Sequence, residues 1–154
     1  MLAFSKILEF CTLLLFLLTW YGGLGNKSEK REPPLVRTYE EEIEILRENT
    51  CDILHELRFG VHRLGYKQLL VLIPYYALDS GQSLSKELYP YVAEHFGHVS
   101  WKSVEHAVRV AILDAWKHRD SNIWEKYFPG AKKVPSNKQF MATIAERVKN
   151  APPC

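Results

Sequence analysis

The chain has 154 residues, 47% of them apolar, enough to build the core of one domain of about 100 residues with an appendage. Its net charge of +2 is too small to imply nucleic-acid binding by itself. The three cysteines, Cys11, Cys51 and Cys154, lack zinc or prenylation spacing and make no disulfide framework, which favours a reducing compartment. The charge is unevenly spread: residues 1–49 hold 6 Lys/Arg against 8 Asp/Glu, and residues 50–154 hold 14 against 10 together with all 6 histidines. A modestly basic second part is compatible with DNA binding without requiring it.

Residues 1–25 are dominated by an apolar run that continues to Asn26. From Phe10 it reads FCTLLLFLLTWYGGLGN, preceded only by Lys6 and Glu9. It is borderline in length for a bilayer crossing, which takes about 20 residues. Trp20 and Tyr21 suit an interfacial belt, and Lys27, Lys30 and Arg31 place the following chain in the cytoplasm by the positive-inside bias. Three readings stand: a membrane anchor through residues 7–25; a cleaved signal ending near Gly23-Leu24-Gly25; and an apolar helix that does not span, or a misassigned start. Residues 26–37, with Pro33-Pro34, form a polar linker.

The domain is expected over 38–150, with 151–154 as a tail. Thr38 and Glu41 have capping-box spacing and open a helix with Ile43, Leu46, Ile53, Leu54 and Leu57 as its apolar stripe. Glu40, Glu41, Glu42 and Glu44 suit the positive end of that helix dipole. From Leu84 to Trp116 the pattern predicts two helices and a tight turn. Ser83 or Ser85 caps the first, and Leu88, Val92, Ala93 and Phe96 face inward. Gly97 supplies a positive φ, Ser100 caps the second helix, and Val99 with Val104 has hydrophobic-staple spacing. Ala93 four residues before Gly97 is helix-turn-helix spacing, a motif that sets its second helix in the DNA major groove.

From about Asn49 the chain resembles the C-terminal effector domain of the sporulation initiation factor, the stage-zero sporulation protein A family. The likeness rests on His55-Glu56-Leu57, HRLGY from His62 to Tyr66 and Leu88-Tyr89-Pro90. It continues through Val104-Glu105, Ala107, Arg109, Ala111-Ile112 and Ala115-Trp116, and then through Pro135-Ser136-Asn137, Phe140 and Ala142. The resemblance implies an all-α bundle of about six helices containing a helix-turn-helix. It also implies a DNA-binding regulator of sporulation-type transcription that reads bases with the helix from Ser100 to Trp116. Glu105 and Arg109 match family reading positions, whereas Ser103 and His106 stand where the family has arginines and Val110 where it has a histidine. One extra residue follows Phe96, and Pro74 is expected to kink or split the second helix. Family members carry a phosphorylated receiver domain upstream. Only about 48 residues precede the module here, so control by a receiver of its own is not expected.

On the reading helix Lys102, His106 and Arg109 share one face, and Val104, Ala107, Val108, Ala111, Ile112 and Ala115 form the buried one. Base-reading candidates are Ser103, Glu105, His106 and Arg109, because a guanidinium matches guanine and a carboxylate accepts from cytosine. Phosphate candidates are Ser100, Lys102, Lys132, Lys133 and Lys138. Trp116, Trp124, Tyr127 and Phe128 are expected in the core, with a dimer contact as the alternative. His55, Glu56 and His62 lack HExxH spacing, and His95, His98 and His106 lack a partner to complete a metal site. No cofactor and no enzymatic activity are expected. Expected partners are double-stranded DNA, a second copy on DNA, RNA polymerase through its sigma subunit, and the membrane through residues 7–25. The competing reading is a helical protein-interaction module that has lost specific DNA readout.

Overall fold

In the computed structural model, residues 37–151 are described. They form six α-helices with no strand among them. Helix α1 spans Tyr39–Glu56, α2 Leu64–Leu78, α3 Tyr89–His95, α4 Trp101–Lys117, α5 Ser121–Tyr127 and α6 Asn137–Lys149. The apolar segment and most of the linker lie outside the described residues. Among the described residues no helix is long and apolar enough to cross a membrane.

Helix α1 opens on the expected capping box, with Glu41 N–H donating to Thr38 Oγ1 at 3.2 Å and Thr38 N–H donating to Glu41 Oε2 at 2.9 Å. Its inner stripe buries Leu46, Leu54 and Leu57. Asn49 is also buried and donates to the Val148 carbonyl at 3.4 Å, tying α1 to α6.

Helix α2 is the central element, packed against α1, α4 and α6. Of the expected kink or split at Pro74, the split does not occur: α2 runs unbroken through it. A proline inside a helix costs about 3 kcal/mol, through a lost hydrogen bond and a clash with the preceding turn. Leu69, Leu72 and Ile73 are wholly buried around it, and each such side chain contributes about 1.5–3 kcal/mol. Burial outweighs the proline.

The approach to α3 shows where a second proline acts. Ser83 caps a π-helical turn, Leu84–Leu88, that runs directly into α3. Tyr89 N–H bonds the Leu84 carbonyl five residues back, and Pro90 then occupies the first turn of α3. Pro90 has no N–H to offer the preceding turn, and the wider π spacing takes up the mismatch.

The turn after α3 holds two left-handed residues, Gly97 at φ 88° and His98 at φ 59°. Val99 N–H reaches back to the Ala93 carbonyl at 3.2 Å and closes the helix end. Val99, expected to staple onto Val104, stays 39% exposed while Val104 is wholly buried.

The aromatic expectation holds. Trp124 and Phe128 are buried, with Trp116 and Tyr127 half-buried against the core. Trp124 meets Trp116 edge-on at 5.2 Å, and Phe140 of α6 stacks on Phe128 at 5.7 Å. This cluster anchors α6 and so sets where its N-terminus projects.

Candidate nucleic-acid interface

Helix α4 begins at Ser100, whose hydroxyl accepts from Lys102 N–H at 3.3 Å. Its inner face buries Val104, Val108, Ala111, Ile112 and Ala115, and Ala107 is half-buried. That face is fitted against α2 by Gly65. A Cβ built on Gly65 would lie 2.2 Å from the Ala107 carbonyl oxygen and 2.7 Å from Ala111 Cβ. Only glycine at 65 lets the two backbones meet, which is the physical content of the Gly-Tyr in the HRLGY segment.

The outer face of α4 borders an open groove of about 910 Å³, whose other wall is the segment leading into α6. The groove gathers Lys102, Glu105, His106 and Arg109 from α4 with Lys133 and Lys138 from the opposite wall. Four cations thus face one carboxylate, and none of the three lysines forms an ion pair among the described residues. Ser100 and Ser103 are exposed on the first turn of α4, outside the groove. Lys132 lines a neighbouring hollow of about 580 Å³ with Tyr127, Phe128 and Lys133. Trp101 is 36% exposed at the start of α4, with Lys102 Nζ 5.7 Å from its ring centroid.

Arg109 is half-buried rather than free at the surface. Its Nη1 donates to the Pro135 carbonyl at 2.6 Å. The same wall is tied a second time by Asn137, whose Nδ2 donates to the Glu105 carbonyl at 3.0 Å and to the Tyr89 hydroxyl at 3.3 Å. Burial pushes the Tyr89 hydroxyl above its ordinary value, with Glu105 adding to the shift and the Asn137 hydrogen bond opposing it. The hydroxyl therefore stays protonated at neutral pH.

Ser136, Asn137 and Gln139 belong to the groove but escaped the sequence-based selection of site residues. A signal for two of them was present: Ser136-x-x-Gln139 is a capping box. The structure forms it with Gln139 N–H donating to Ser136 Oγ at 3.2 Å and Ser136 N–H donating to Gln139 Oε1 at 3.0 Å. Asn137 carries no such signal, since its partners lie 32 and 48 residues away.

Two helices joined by a tight turn, the second packed inward on glycine and small residues and bordering a cation-lined groove, define a helix-turn-helix domain of the DNA-binding class. Comparison with known proteins specifies it further. The family described as sporulation initiation factor Spo0A C terminal matches residues 50–148, and the chain belongs to that family. The family is a DNA-binding domain of sporulation regulators, not a catalytic one.

Proposed function

We propose that this domain regulates transcription by laying α4 in the major groove, with Glu105 and His106 as its principal base-reading side chains and Ser103 beside them. Lys102, Lys133 and Lys138 take the flanking phosphates, with Ser100 and Lys132 at the margins. The observation that carries this reading is the groove that draws cations from α4 and from the start of α6 to one surface. A cationic groove holds the polyanion without regard to sequence, and base edges then supply discrimination of about 1–3 kcal/mol per good contact. Histidine and serine reach less far than the arginines they replace, so the preferred sequence differs from that of other family members.

The domain pairs with a second copy on DNA. It works in the cytoplasm, where residues 7–25 tether it to the membrane, and contacts RNA polymerase through the sigma subunit. Fluorescence anisotropy of the full chain against a family-type duplex and a random duplex tests the central reading. The expected result is tighter binding to the family-type duplex, with affinity falling steeply as salt rises. Equal affinity for both at all salt concentrations would falsify base reading.

One observation favours the protein-interaction reading. Val110 and Leu113 of α4 are 38% and 42% exposed, and apolar side chains contribute nothing to phosphate contact. A folded chain that binds neither duplex at low salt decides for that reading.

A further inference from the structure

We propose that Arg109 is a positioning residue of the DNA interface, a latch that holds the 132–138 segment against α4. It thereby fixes where Lys133 and Lys138 meet phosphates relative to where Glu105 and His106 meet bases. The inference rests on the DNA-binding reading above.

Two independent hydrogen bonds tie the segment to successive turns of α4: Arg109 Nη1 to the Pro135 carbonyl at 2.6 Å, and Asn137 Nδ2 to the Glu105 carbonyl at 3.0 Å. Pro135 is buried and has no N–H, so its carbonyl is the one backbone polar group it must satisfy. Arg109 satisfies it with a charge-assisted bond, the stronger kind. The guanidinium is a planar fork of five donors, and one of its terminal nitrogens is committed to the opposite wall. Bidentate approach to a guanine edge needs two donors of the fork aimed at the base, and the bond to the opposite wall competes for one of them. Lys133 lies two residues before the latched proline and Lys138 one residue after Asn137, so both lysines are registered by the ties between them.

The two roles of Arg109 leave different signatures. A base reader, when truncated, loses discrimination at one base pair and leaves the salt dependence intact. A latch, when cut, loses phosphate contacts on every duplex alike.

The experiment uses the full chain and its Arg109→Ala, Arg109→Lys and Asn137→Ala variants. Affinity for a family-type and a random duplex is measured across a salt series, and trypsin cleavage after Lys132 and Lys133 is followed without DNA. Arg109→Ala is expected to weaken both duplexes by the same factor, about tenfold, and to reduce the slope of log affinity against log salt by about one contact. Trypsin cleavage after Lys132 and Lys133 accelerates. Adding Lys133→Ala to Arg109→Ala costs less than Lys133→Ala alone, because coupled residues are not additive. Arg109→Lys, which keeps a donor for the Pro135 carbonyl, restores most of the slope, and Asn137→Ala, which cuts the other tie, reduces it too. A loss confined to one base pair, with slope and trypsin cleavage unchanged, overturns the latch and makes Arg109 a reader. Failure of the wild-type chain to bind either duplex overturns both the DNA reading and this role. Normal wild-type binding with unaltered cleavage in all variants overturns the latch alone.

Discussion

The two faces of α4 obey different rules. Its inner face meets α2 where Gly65 leaves no room for a single methyl group beside Ala107 and Ala111, and Val104, Val108 and Ile112 are wholly buried on it. Its outer face carries Lys102, Glu105 and His106 around an open groove. Close packing makes the inner face intolerant of shape changes, whereas exposed polar substitutions usually shift stability by no more than about 0.5 kcal/mol. A helix built this way keeps its fold when its outer polar residues are exchanged.

The contrast breaks most severely at Gly65. Gly65→Ala is expected to destabilise by about 3 kcal/mol or more, because its Cβ meets backbone that cannot yield; overpacking alone typically costs about 1–3 kcal/mol. Thermal unfolding measures the loss, and wild-type stability in that variant would contradict the close helix approach. On the opposite face, Glu105→Ala and His106→Ala should leave the unfolding temperature nearly unchanged. Each should remove about 1–3 kcal/mol of discrimination at one base pair, read by anisotropy against single-substituted duplexes. Lys138→Ala should weaken all duplexes alike and reduce the salt slope by about 0.9, without altering the sequence preference.

The smallest expected effect lies away from both faces. The Glu56 carboxylate accepts from the Tyr127 hydroxyl and from Lys126 Nζ. The Tyr127 hydrogen bond, aided by Lys126 and opposed by burial, holds the carboxyl below its ordinary value. Its contribution to stability is therefore full above the unfolded-state value of 4.5 and lost as pH falls through the lower folded-state value. Glu56→Gln should flatten the acid side of the stability-versus-pH curve and leave DNA affinity unchanged. A change in affinity would show that the end of α1 communicates with the groove.

Much of the scaffold was legible because its signals are local. Thr38 and Glu41, Ser100, and Gly97 act on backbone within a few residues of themselves. The apolar spacing of Val104, Val108, Ile112 and Ala115 needs only the helical period. Where a local rule misled, a non-local term had overtaken it. Pro74 should disrupt α2, yet the burial of Leu69, Leu72 and Ile73 holds the helix continuous. Lys102, Glu105, His106 and Arg109 could be grouped from helical spacing alone. That Lys133 and Lys138 join them could not, because the segments meet only after α6 is seated by Phe140 on the aromatic cluster.

The sequence by itself determined the first helix, the two helices of the motif, the caps at Thr38, Ser83 and Ser100, the positive φ at Gly97 and membership in the sporulation-regulator family, since each depends on residues near in the chain or on a pattern in order along it. Only the tertiary structure decided that α4 and the start of α6 form one groove, that Gly65 is the point of closest helix approach, and that Arg109 is bound to the Pro135 carbonyl 26 residues away. Such contacts depend on the packed geometry of distant segments, which helical periodicity does not encode.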